Sequence, residues 1–153
     1  MTQNLDRFKF RVVIKERRSH GATLDNGIYD VVAIYCDRSD LNHDRKIIVF
    51  HNNKRFEIME GTYDFELMQC TGLKDKNGKL IYEGDVIECD HYEDLYAVIY
   101  LTEGHFSGGF CLKNLKTSQT SNFHQFNIWM PSDEPKNWDK IIGNIYENAD
   151  LLK

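Results

Sequence analysis

Apolar and polar residues alternate in short runs along most of this chain, and turn-forming residues interrupt them every few positions. That rhythm predicts many short strands and little helix. Phe8, Phe10 and Val12 alternate with Lys9, Arg11 and Val13, as in a half-buried strand. Arg17 to Asn26 is polar and ends at Asp25-Asn26-Gly27, a strong turn signal. Ile28 to Cys36 is β-branched and aromatic and reads as a second strand. Asp37 to Asp44 has no apolar periodicity and reads as a loop. Ile47 to His51 and Arg55 to Met59 flank His51-Asn52-Asn53-Lys54, a hairpin pattern.

The second half continues in the same way. Asp75-Lys76-Asn77-Gly78 is a tight turn, because Asn-Gly supplies the positive φ angles that short turns need. Glu83-Gly84-Asp85 is a second bend, and Val86 to Cys89 is the strand that follows. Leu95 to Leu101, Phe106 to Leu112, Phe123 to Met130 and Ile141 to Tyr146 read as later strands. Gly108-Gly109 marks a bulge in one of them. Helix is expected only in short pieces, near Glu60 to Leu67 and at the C-terminus, where Asn148 suits an N-cap. No repeat or linker divides the chain. The pattern predicts one mainly β (β-rich α+β) domain over residues 1–153. It has an N-terminal β-rich part, residues 1–70, packed with an SH3-like barrel part, residues 71–153.

Three stretches carry a family resemblance. The first is Phe8-Lys9-Phe10-Arg11. The second is the long run from Leu67 through Cys70-Thr71-Gly72-Leu73-Lys74-Asp75-Lys76-Asn77-Gly78 to Ile81-Tyr82-Glu83-Gly84-Asp85. The third is Ile142-Gly143-Asn144-Ile145-Tyr146-Glu147-Asn148 with Leu151-Leu152. In order and spacing the chain resembles the YopX family of bacteriophage and prophage proteins. It departs from the usual pattern at Val12-Val13, where an Ala-Trp pair is common, and at Ala149, where Pro is common. The resemblance implies a phage or prophage origin and a β-rich fold with an SH3-like barrel in its second half. It implies no activity and no catalytic residue. Turn chemistry explains most of the central motif. Gly72, Gly78 and Gly84 permit bends, Asp75 and Asp85 accept backbone hydrogen bonds, and Leu73, Ile81, Tyr82 and Val86 supply core. Lys74, Lys76, Lys79 and Tyr82 form the alternative, a partner-binding surface.

Charge narrows the functional classes. The net charge is −5, and all of it arises after residue 70, since residues 1–70 are balanced. Every arginine lies between Arg7 and Arg55, and no lysine or arginine falls between Lys79 and Lys113. A surface made by that acidic stretch repels phosphate, so nucleic acid would have to meet the arginine-bearing half. The basic groups there are Lys15, Arg17 and Arg18, near His20, and Arg45 and Lys46. Tyr29, Tyr35 and Phe50 are interleaved as stacking platforms. A solvated basic loop accounts for the same residues.

Other chemistry is thinly represented. Cys36, Cys70, Cys89 and Cys111 lack zinc-knuckle spacing and read as small buried thiols. No apolar run approaches the roughly 20 residues of a membrane helix, and the N-terminus has no apolar leader, so the expectation is a cytoplasmic protein of the bacterial host. Asp90, His91, Glu93 and Asp94 are rich in ligand atoms but sit in one loop, where convergence on a metal is rare. Asp75-x-Asn77-Gly78 lacks the further ligands of a calcium loop. His105 and His124 are a possible acid–base pair with no nucleophile motif beside them. The sequence therefore predicts no cofactor, no metal and no enzyme. It predicts a binding or self-assembly module whose partner is itself or a phage or host protein. A nucleic-acid accessory protein is the alternative, and a small metal-dependent hydrolase is a third.

Overall fold

The computed structural model describes residues 8–36, 45–89, 94–102, 109–117, 123–125, 139–148 and 150. Their strands are β1 (Phe10–Arg17), β2 (Gly27–Cys36), β3 (Arg45–His51), β4 (Lys54–Met59), β5 (Tyr63–Lys74), β6 (Leu80–Tyr82), β7 (Asp85–Cys89), β8 (Leu95–Leu101), β9 (Gly109–Asn114), β10 (Phe123–Gln125) and β11 (Asp139–Asn144). They form two antiparallel sheets, ordered β4-β3-β2-β1-β5-β6 and β10-β9-β8-β7-β11. The chain divides into two compact units, Lys9–Gln69 and one made mainly of Cys70–Lys153. Strand β5 crosses that boundary: its first part pairs with β1 and its last part with β6.

In the unit Lys9–Gln69 the core follows from the pleat. Val12 and Ile14 of β1, Ile47 and Val49 of β3, Ile58 of β4 and Tyr63 of β5 point to one face and bury Leu24 among them. Phe65 and Leu67 pack against this cluster from β5. Full burial of a side chain such as Ile58 contributes about 1.5–3 kcal/mol. The Tyr63 hydroxyl pins the polar segment after β1 to this core, accepting the backbone N–H of Thr23 at 2.9 Å and of Leu24 at 3.2 Å. Strand β1 buries both faces, since Val13 is as enclosed as its neighbours. The half-buried alternation expected from Phe8 onward is therefore replaced by a strand that starts at Phe10 and runs apolar on both sides through its middle.

The helix expected over Glu60 to Leu67 is a correction. Residues 60–62 make a turn, and β5 begins at Tyr63. Glu, Leu and Met favour helix locally, but Tyr63, Phe65 and Leu67 fall on alternate positions and reach the core as strand residues. The hairpin of β3 and β4 is as expected. Asn52 and Asn53 take φ of 50° and 60°, the left-handed pair of a two-residue turn.

In the other unit Ile81, Ile87, Tyr96, Val98, Phe110, Leu112 and Ile141 make a second core, with Leu73 packed against it. The motif residues serve this core. Gly78 and Gly84 adopt φ of 79° and 82° at the two bends. Asp75 Oδ1 accepts the N–H of Asn77 at 2.8 Å and of Lys79 at 2.9 Å, while its Oδ2 accepts the N–H of Ile141 at 3.3 Å. The turn is thereby tied to β11. Burial pushes the Asp75 pKa up, but those N–H groups outweigh it and hold the carboxyl below its ordinary value. Asp85 accepts the N–H of Tyr82 at 2.9 Å. Asn144 closes the turn after β11 by accepting the N–H groups of Tyr146 and Glu147, both at 2.9 Å. Strand β11 ends at Asn144, two residues before the expected end at Tyr146. Most of the expected strand Phe123 to Met130 and of the C-terminal helix lies outside the described residues.

Candidate functional site

Four of the basic residues singled out in the sequence, Lys15, Arg17, Arg18 and Lys46, lie beside carboxylates. Lys15 reaches Glu66 at 2.9 Å, Arg17 reaches Asp25 at 3.5 Å, and Arg18 reaches Asp64 at 3.0 Å. Lys46 sits 3.0 Å from Glu57, and Arg11 pairs with Asp30 at 3.1 Å. Arg45 opens β3 opposite Cys36. Arg17 and Arg18 do come together, lining an open recess of about 400 Å³ with Ser19, His20 and Ala22. Lys46 is on β3, separated from β1 by β2. Each of these ion pairs is exposed or half-exposed, so its worth to stability is about 0–1 kcal/mol. Its electrostatic effect is local: a carboxylate beside each cation cancels the field that a phosphate backbone would meet.

The interleaved aromatics separate by face. Tyr29 packs against the core and meets the His51 ring edge-on at 5.3 Å. Its hydroxyl donates to the carbonyl of Asp25 at 2.9 Å. Burial, and then the Asp25 charge, push its pKa up. Tyr35 and Phe50 are on the opposite face of the sheet.

That opposite face holds what the sequence reading missed. The register sets Tyr35, Lys46 and Met59 in one row across β2, β3 and β4. The next row is Ala33, Ile48 and Glu57, and Phe50 and Arg55 follow. Four large apolar residues there stay open to solvent: Val32 at 62%, Tyr35 at 56%, Phe50 at 54% and Met59 at 38%. Val32 is the extra residue of a bulge between Val31 and Ala33, which lifts it out of the ladder. The signal was present in the sequence. Ile47-Ile48-Val49-Phe50 is a continuous apolar run, and such a run puts apolar groups on both faces of a strand. Glu57 lies amid this surface between Lys46 and Arg55, the latter at 2.8 Å. The Lys46 ammonium, then the Arg55 guanidinium, hold the Glu57 carboxyl below its usual range. Strand β4 ends the sheet on this side, with β3 its one neighbour among the described residues.

The remaining candidates are distributed as follows. Tyr82 is buried, which removes it from the partner surface proposed for the central motif, while Lys74, Lys76 and Lys79 stay exposed. Cys70 and Cys111 are buried free thiols, and burial pushes Cys111 up. Asp90, His91, Glu93 and His105 lie outside the described residues. Asp94 is engaged, 2.6 Å from Lys116 and accepting from Asn114 Nδ2 at 2.9 Å, and these contacts hold its carboxyl low. His124 is on β10 opposite Leu112. Among the described residues no three His, Cys, Asp or Glu side chains are grouped as metal ligands. Among the same residues no helix is long and apolar enough to cross a membrane.

Two antiparallel sheets, a motif spent on turns and, among the described residues, four exposed large apolar side chains around the buried Ile48 on one sheet face define a mainly β protein. The chain belongs to the YopX protein family, whose model matches residues 10–153. Among solved structures it is similar to protein yopX from Bacillus subtilis, at 17% identity and a TM-score of 0.52, over 96% of this chain and 99% of that one. It is also similar to protein EF1440 from Enterococcus faecalis, at 24% identity and a TM-score of 0.49, over 95% and 97% of the two chains. The likeness to yopX shows a shared fold. No curated protein matches the chain.

Proposed function

We propose that the protein is a non-enzymatic binding module of phage or prophage origin that works by associating with itself in the host cytoplasm. One observation carries the reading. Val32, Tyr35, Phe50 and Met59 stand exposed together on β2, β3 and β4, beside a sheet edge. Apolar groups gathered in this way lose water-exposed area when a second surface covers them, and that transfer drives association. A closed symmetric oligomer with two kinds of contact, one joining edges and one stacking faces, covers both. In this reading the five-stranded sheet curls as an SH3-like barrel and serves as the scaffold. A phage or host protein seated on the same face is the competing occupant.

The ion pairing of Lys15, Arg17, Arg18 and Lys46 weighs against the nucleic-acid reading, because binding phosphate would mean displacing a carboxylate at each position. The engagement of Asp94 by Lys116 and Asn114 weighs against its use as a metal ligand. The test is light scattering on protein eluting from a sizing column. The wild type is expected to elute as a multimer. The Tyr35→Ser/Phe50→Ser variant is expected to elute as a monomer with an unchanged far-UV circular dichroism spectrum. A wild type that elutes as a monomer contradicts the reading.

A further inference from the structure

We infer that β4 pairs antiparallel with β4 of a second copy, about a two-fold axis through Phe56. The inference rests on the self-assembly reading and gives it an edge, a register and a charge pattern. Among the described residues no strand pairs with the outer edge of β4, whose backbone N–H and C=O groups suit a further strand. The hairpin says which residues offer them. His51 and Lys54 close a two-residue turn and form a hydrogen-bonded pair. Alternation from that pair directs Lys54, Phe56 and Ile58 at β3, and Arg55, Glu57 and Met59 outward.

A two-fold axis perpendicular to the sheet keeps each face on its own side across the junction. Paired residues must then share a face, so the axis passes through a residue and not between two. An axis through Arg55 sets that cation against its own copy. An axis through Glu57 sets two carboxylates together. An axis through Phe56 sets Arg55 opposite the partner's Glu57, and Glu57 opposite the partner's Arg55. These are also the outward-facing residues, so each such pair exchanges two backbone hydrogen bonds. The two Phe56 rings meet at the axis as a cross-strand aromatic pair. Arg55 and Glu57 already touch within one strand at 2.8 Å, on one face, so the exchange needs only a swing of side chains. Lys and Arg on an edge strand ordinarily deter pairing. Here Glu57 relieves that repulsion in this one register, which makes the contact selective for a second copy of this chain.

The experiment is sedimentation velocity on the 153-residue chain over a concentration series. It compares the wild type with Arg55→Glu, Glu57→Arg and the double swap Arg55→Glu/Glu57→Arg. Like charges placed opposite each other are expected to weaken association about tenfold or more in each single variant. The double swap is expected to restore it. If a reversal prevents folding, judged by circular dichroism, the neutral variants Arg55→Gln and Glu57→Gln carry the test and are expected to weaken association in the same direction. A wild type that associates while the single variants associate equally well overturns the β4 register and leaves the self-assembly reading standing. A double swap no better than the singles overturns the register too. A wild type that never associates overturns both.

Discussion

Asp75 is where the chemistry of the central motif is most concentrated. Its carboxylate accepts backbone N–H groups from Asn77 and Lys79 within the turn and from Ile141 on β11, while itself buried. Replacement by Asn keeps Oδ1 as an acceptor but turns an N–H₂ toward the N–H of Ile141. Asp75→Asn is expected to lower the unfolding free energy by about 1–3 kcal/mol at neutral pH, measured by urea denaturation. The folded state holds this carboxyl below its ordinary value. Its charge therefore contributes stability that is complete above about pH 4, where the unfolded carboxyl is also ionised, and is lost as the pH falls toward the folded value. The gap between wild type and Asp75→Asn is expected to be full near pH 7 and to shrink below about pH 4. A gap that widens on acidification would refute this account. Asp75, Gly78, Gly84 and Asp85 were readable from the sequence, because each acts on its own near neighbours. The bond from Ile141 to Asp75 was not, since it spans 66 positions.

At the scale of elements, turn chemistry was legible and one strand was mistaken for a helix. The Asn52-Asn53 hairpin appears where the sequence puts it, with both residues at positive φ. Asn tolerates that region better than other residues with a Cβ, and glycine tolerates it best. Asn53→Ala is expected to cost about 1 kcal/mol in urea denaturation, with Asn53→Gly at least as stable as wild type. Equal stability of all three proteins would mean that the turn does not hold the register of β3 and β4. Strand β5 was misread because Glu, Leu and Met favour helix locally, while its strand state depends on partners far away in sequence. It pairs with β1, in a register running from Phe10 opposite Gln69 to Arg17 opposite Tyr63. No local propensity encodes that pairing. The two-sided apolar character of β3 was visible in Ile47-Ile48-Val49-Phe50, but only the register shows that Tyr35 and Met59 join Phe50 on the exposed side.

For the whole molecule, the mainly β class and the family were legible from turn spacing and the central motif: the two antiparallel sheets bear out the first, and the family match over residues 10–153 bears out the second. The site was legible only in part. The sequence pointed to basic residues, and the structure pairs Lys15, Arg17, Arg18 and Lys46 with carboxylates from other elements or loops. Charge counted along a chain cannot register such pairing, because partners meet only in the folded state. Among the described residues, the large apolar side chains exposed near the β4 edge are Val32, Tyr35, Phe50 and Met59. The central claim is that copies of this chain cover that surface for one another. Native mass spectrometry of the freshly purified 153-residue chain, at modest ionic strength and over a dilution series, tests it most directly. The account predicts an even-numbered homo-oligomer with no added mass, as two-fold pairing through β4 requires, giving way to single chains on dilution. Single chains at every concentration, or an assembly held together by another molecule, would contradict it.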